Sequence, residues 1–159
     1  MIRVASYNMR KAIGTDRRRR PERTLAVLNE LDADVIALQE ADRRFGSRAS
    51  AVPLRLIEEQ SDYKPVPLDA RAGSIGWHGN ALLVRKSVEV LERHLFHLPS
   101  LEPRGAVLAE VRVGGETLRV VGMHLDLSGL WRRRQARAIL THLGERAEPP
   151  PTVLMGDLN

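Results

Sequence analysis

The chain has no cysteine and few aromatic residues, two each of Trp, Tyr and Phe, or 4% of its 159 residues. Without cysteine there are no disulfides, thiolate nucleophiles or Cys-type zinc sites, so any bound metal must be held by oxygen or imidazole ligands. The shortage of aromatics predicts an aliphatic core and offers no aromatic-rich stacking platform of the kind single-strand nucleic-acid binders use. No apolar run approaches the roughly 18 residues of a membrane span. Met1 to Tyr7 alternates like a strand rather than reading as the apolar stretch of a signal peptide. A cytoplasmic location is the default that this pattern implies. Acidic residues are in the minority, 20 Asp+Glu against 25 Lys+Arg, for a formal net charge of +5 and a pI near 10.4. Motifs that would announce other chemistries are missing as well. There is no Gly-x-Ser-x-Gly elbow, His-Glu-x-x-His helix, Walker A loop or Gly-x-Gly-x-x-Gly fingerprint.

What is present is a globular composition, 43% hydrophobic and 28% charged, in a length that suits one domain at most. Ile2 to Asn8 reads as a strand, followed by an Arg-rich loop from Arg10 to Arg20. Pro21 suits the first position of a helix, and Leu25, Leu28 and Leu31 continue it at helical spacing. Asp34 to Glu40 is a compact apolar run, read as a buried strand. A second helix is expected over Ala51 to Gln60, with Leu54, Ile57 and Leu56 inward, and a loop over Gly73 to Gly79. The period then changes to strands at Ala81 to Arg85, Val88 to Phe96, Gly105 to Val113 and Thr117 to His124, the last two joined by a Gly114-Gly115 hairpin signal. A third helix is expected from Leu130 to Arg146, its apolar stripe formed by Ala136, Ile139, Leu140 and Leu143. Another strand begins at Thr152.

Four apolar runs finish on a polar residue of catalytic type: Asn8, Glu40, His124 and Asp157. In open α/β sheets ligands bind beyond the carboxyl ends of strands, where rigid strands hold reactive groups and loops are free to vary. Each residue alone has a plain structural reading: Asn8 as a turn residue, Glu40 as a solvated strand end, His124 as a satisfied histidine, Asp157 as a cap. Their common placement is what points to one site. Asn8 and Glu40 are hard oxygen donors suited to Mg²⁺ or Mn²⁺. Asp157 could orient or deprotonate an attacking water, and His124 could hydrogen-bond a phosphate oxygen. Asn159 would share a face with Asp157 if the strand continues. The set suits metal-assisted phosphoester hydrolysis.

Val4-Ala5-Ser6-Tyr7-Asn8, Ala33-Asp34-Val35-Ile36-Ala37-Leu38-Gln39-Glu40, Gly79-Asn80-Ala81-Leu82-Leu83-Val84, Gly122-Met123-His124-Leu125, Arg132-Arg133-Arg134-Gln135 and Met155-Gly156-Asp157-Leu158-Asn159 resemble, in that order, the endonuclease/exonuclease/phosphatase superfamily. The resemblance implies an α/β (α+β), deoxyribonuclease I-like fold: a two-layer β-sandwich flanked by helices. It also implies a cleft that binds a divalent cation, usually magnesium, and hydrolyses a phosphodiester or phosphomonoester. Carried onto this sequence, it makes Asn8 and Glu40 the metal-site pair, with Glu40 the direct ligand. Asp157 becomes the water-positioning aspartate, Asn159 the phosphate-contacting asparagine and His124 a catalytic histidine. Asn80 and Arg104 match substrate-binding positions near the cleft. The family's closing Ser-Asp-His element has no counterpart before Asn159, so the chain reads as a C-terminally incomplete, N-terminal portion of that domain.

The expected substrate is a phosphoester, with DNA or RNA slightly favoured by the pI and the Arg17 to Arg20 run. A phospholipid or inositol phosphate stays open. The other class of reading is a non-catalytic, basic phosphate- or nucleic-acid-binding module or an inactive fragment.

Overall fold

The computed structural model describes residues 1–43, 49–68 and 73–159. Strand β1 (Val4–Asn8) runs parallel to β2 (Val35–Gln39), with Val4 opposite Val35 and Asn8 opposite Gln39. Helix α1 (Pro21–Leu31) makes the crossover between them. Pro21 opens the helix where its missing N–H costs nothing, and Asp32 closes it in the left-handed conformation at φ 49°. Strand β2 is buried at all five positions. Ile36 and Leu38 pack with Leu25 and Leu28 of α1, while Val35 and Ala37 face the other sheet. Burial on both sides explains why this segment reads as an unbroken apolar run instead of an alternating one.

Helix α2 (Leu54–Gln60) begins later than Ala51. Pro53 disfavours helical backbone at the residue before it, so Ala51 and Val52 stay outside. Ile57 is fully buried, Leu56 half-buried, and Leu54 is exposed rather than inward. A short strand that periodicity does not predict, β3 (Tyr63–Pro65), pairs antiparallel with β4 (Ala81–Arg85). Three residues ending in proline carry no readable alternation, and proline is tolerated because β3 lies at the sheet edge. The first sheet has the order β1-β2-β4-β3.

The second sheet has the order β5-β6-β7-β8, with β5 (Glu89–His97), β6 (Gly105–Val113) and β7 (Glu116–His124) antiparallel. Gly114 and Gly115, at φ 54° and 89°, make the tight β6–β7 turn. Strand β8 (Thr152–Asp157) returns parallel to β7 after helix α3 (Gly129–Leu143). The inward side of α3 differs from the predicted stripe: Gln135 and Ile139 are buried, Ala138 and Leu143 pack partly, and Leu140 is exposed. Gln135 fixes this rotation. Its Oε1 accepts from the Asp126 N–H at 2.9 Å and its Nε2 donates to the Pro99 carbonyl at 3.2 Å.

The layers are therefore α1 and α2, the first sheet, the second sheet, then α3. Val35, Ala37, Leu82 and Val84 meet Val107, Ala109 and Val120 between the sheets. This is a two-sheet α/β sandwich flanked by helices. No helix among the described residues is long and apolar enough to cross a membrane.

Candidate active site

The two parallel pairs, β1 with β2 and β7 with β8, decide where the polar strand ends lie. Within each pair the ends are level: Asn8 is opposite Gln39, and His124 is opposite Asp157. The sandwich then brings the pairs together, and Asn8 spans the gap. Its Nδ2 donates to Asp157 Oδ2 at 2.9 Å and to Glu40 Oε1 at 3.3 Å. Its Oδ1 accepts from the Arg10 N–H at 3.1 Å, which fixes the amide with its nitrogen towards the carboxylates.

Backbone conformation places each carboxylate. Glu40 leaves β2 at φ 52°. Its Oε2 accepts from Lys11 Nζ. Burial would raise the Glu40 carboxyl, but the hydrogen bond and charge of Lys11 and the Asn8 amide outweigh it and hold the group below its ordinary value. Asp157 follows Gly156, whose φ is 152° and where an added Cβ would lie 1.9 Å from the Met123 carbonyl oxygen. Only glycine fits that approach of β8 to β7. The Asn8 hydrogen bond and the Asn159 N–H, at 3.0 Å from Oδ1, hold the Asp157 carboxyl low, with the charges of His124 and Arg104 adding to the effect.

His124 is 12% exposed at its side chain, and its Nε2 lies 3.7 Å from Asp157 Oδ2. Burial, helped by the Arg104 charge, pushes the imidazole down against the pull of Asp157 and Glu40, favouring the neutral ring. Strand β8 stops at Asp157, so Asn159 does not continue it. Asn159 takes a left-handed conformation at φ 56°, and its Nδ2 donates to the Leu125 carbonyl at 2.6 Å.

Asn80 and Arg104 lie beside this centre. The turn Trp77-His78-Gly79-Asn80 packs on Glu40, with the Ala41 N–H donating to the Gly79 carbonyl at 2.9 Å. Asn80 is fully buried, its Nδ2 donating to the Gly105 carbonyl at 2.9 Å while Oδ1 has no partner. Arg104 pairs with Glu102 at 3.6 Å, and its buried Nε is unpartnered. A small ring cluster also forms here. Trp77 meets His78 and His97 at ring-centroid distances of 4.4 and 5.0 Å. These rings come from the turn before β4 and the end of β5, so no local pattern joins them.

Two carboxylates from different sheets, bridged by one amide, offer hard oxygen donors of the kind that suit Mg²⁺ or Mn²⁺. Among the described residues no group of three or more His, Cys, Asp or Glu is placed to hold a metal ion, so protein donors at this centre are limited to these two carboxylates and their neighbours.

Fold and site together define a two-sheet α/β protein with a polar centre at the carboxyl ends of four strands. The chain belongs to the endonuclease/exonuclease/phosphatase family, whose model matches residues 5–159. Solved structures of this deoxyribonuclease I-like fold superpose on it. D. rerio TDP2 complexed with single strand DNA product has a TM-score of 0.75 at 21% identity, covering 99% of this chain and 60% of its own. The endonuclease/exonuclease/phosphatase from Beutenbergia cavernae gives 0.71 at 24% identity, with 99% and 47% covered. The human Nocturnin catalytic domain with bound sulfate gives 0.70 at 17%, with 99% and 64% covered. The chain thus spans under two thirds of the length of each of these three structures. A search of curated proteins finds no match. Members of the family are hydrolases acting on phosphoester bonds.

Proposed function

We propose that the protein is a divalent-metal-dependent phosphoesterase whose centre is Asn8, Glu40, His124 and Asp157, with a nucleic-acid phosphodiester as its substrate. The observation that carries this reading is the Asn8 amide, which joins Glu40 and Asp157 across the two sheets at 3.3 and 2.9 Å. Two carboxylates held ionised within reach of one amide are what a cation site and a water-activating base require.

Glu40 is the direct metal ligand, and Asn8 sets its orientation. Mg²⁺ or Mn²⁺ at this position supplies Lewis-acid polarisation of a phosphoryl oxygen and neutralises developing charge. Asp157 orients the attacking water and accepts its proton on a carboxylate oxygen as the water oxygen bonds to phosphorus, the P–O bond to the leaving oxygen breaks, and that oxygen takes a proton from solvent. His124, neutral near pH 7, donates a hydrogen bond to a non-bridging phosphate oxygen. Asn159 fixes Asp157 through its backbone N–H. Arg104 adds positive charge for the anion, and Asn80 holds the neighbouring strand end in place.

Three features favour nucleic acid over a small phosphoester. The Trp77, His78 and His97 ring cluster lies beside the centre, where a base-facing ring would add about 1–3 kcal/mol per stacked base. Arg17 to Arg20 lie exposed in the loop after the Asn8 strand. A structural neighbour, D. rerio TDP2, is complexed with single strand DNA product.

The test is hydrolysis of an end-labelled single-stranded oligonucleotide beside a small nitrophenyl phosphodiester, with Mg²⁺ or Mn²⁺ and with EDTA. Cleavage of the oligonucleotide that EDTA abolishes supports the reading. Salt-dependent retention of the oligonucleotide without turnover in either metal supports the binding-module alternative and contradicts this one.

A further inference from the structure

Three successive residues after β1, Arg10, Lys11 and Ala12, have φ of 47°, 58° and 61°. None is Gly or Asn, the residues that enter this region most readily, so the surroundings must impose the conformation. They do so with a dense set of bonds. Ala12 N–H donates to the Met9 carbonyl at 2.9 Å, Ile13 N–H to Arg10 at 3.0 Å, and Lys11 N–H to the Glu40 carbonyl at 3.0 Å. Arg19 Nε donates to the Lys11 carbonyl at 3.1 Å, and Arg20 N–H to Ala12 at 2.9 Å. The result of this left-handed turn is that the Lys11 ammonium doubles back and donates to Glu40 Oε2, while Asn8 holds Oε1.

We propose that Lys11 is a built-in cation of the active site that competes with the divalent metal for Glu40 and so sets the metal concentration at which the site fills. The inference rests on the reading of Glu40 as the metal ligand. Lys11 and Glu40 are 28% and 26% exposed at their side chains, so solvent screens the pair less than a pair on the open surface. The ammonium is tethered to the same chain as Glu40, which gives it a high effective concentration at Oε2. A divalent ion can take that oxygen only if Nζ leaves it, and the displaced ammonium stays close enough to repel the ion. Both effects weaken metal binding. Lys11 is thereby a positioning residue: it keeps Glu40 ionised and aimed, at a cost in metal affinity.

The experiment is a Mn²⁺ titration of the folded protein, following free Mn²⁺ by electron paramagnetic resonance at fixed pH and ionic strength. Lys11→Met is expected to bind Mn²⁺ about three- to tenfold more tightly than wild type, the range expected for losing a partly screened competing charge. Lys11→Arg, which keeps the charge, is expected to stay within about twofold of wild type on the same argument. Lys11→Gln serves as a second neutral variant should Lys11→Met lose its fold. Unchanged or weaker binding in the folded neutral variant overturns the inference. Glu40→Gln separates the two levels of the argument. If it abolishes Mn²⁺ binding and the neutral Lys11 variants do not tighten it, only the role of Lys11 fails. If it leaves binding unchanged, the metal is not at Glu40 and the proposed function fails with it.

Discussion

At the scale of single residues, His124 tests the electrostatics most sharply. Burial comes first among the causes that lower it, and the Arg104 charge second, both working against the cationic ring. Its ordinary value is about 6.5, and the folded value lies below that. Between the two values the unfolded chain binds more protons, so in the protein without added metal stability falls as pH drops below about 6.5. Asp157 has the opposite charge type but acts in the same direction. Its depressed carboxyl contributes stability above the ordinary carboxylate value, lost as pH falls through the folded one. An imidazole NMR titration should place the His124 midpoint below 6.5, and Arg104→Gln should move it upward. A midpoint at or above 6.5 in the wild type would mean that the ring is not held neutral. Asn8, Glu40, His124 and Asp157 were legible as residues because each closes an apolar run. Lys11 was not, because Arg10-Lys11-Ala12 contains no glycine or asparagine to signal a left-handed turn.

At the scale of elements, the two β–α–β units carry the site, and the glycine at the end of β8 lets the second one close. A methyl group at Gly156 would overlap the Met123 carbonyl at 1.9 Å, in a backbone conformation that L-residues avoid. Gly156→Ala should cost about 1–3 kcal/mol, the usual range for forced overpacking, read as a lower urea midpoint with unchanged slope. A wild-type midpoint would show that β8 does not approach β7 as closely as described. The helices show where sequence patterning ended. Leu25 and Leu28 marked the inner side of α1 correctly, with Thr24 buried beside them. In α3 the Gln135 side chain is drawn inward by Asp126 and Pro99, which turns Leu140 to solvent. A buried polar residue with distant partners has no signature in an apolar period. Strand β3 was invisible for a different reason, being three residues long with its pairing supplied by β4.

At the scale of the whole molecule, the sandwich unites groups far apart in the chain: Asn8 and Asp157 are bonded at a separation of 149 residues. Four of the six motifs end strands of the two parallel pairs, and the other two lie on β4 and α3. The Trp77, His78 and His97 cluster was not foreseeable, since it forms only when the two sheets pack. The net charge of +5 also divides once the fold is known. Arg119 is paired with buried Glu110, Arg23 with Asp16 and Arg85 with Asp32, while Arg17 to Arg20 lie exposed in the loop after the Asn8 strand. In the proposed function, the polar centre joining the two sheets hydrolyses a phosphodiester with a divalent metal. The most direct measurement is the single-turnover rate of oligonucleotide cleavage in Mg²⁺ by wild type and Asp157→Asn at equal folded fraction. A loss on the order of a hundredfold or more is expected in the variant, from removing a positioned base. An Asp157→Asn protein that cleaves at the wild-type rate would contradict it.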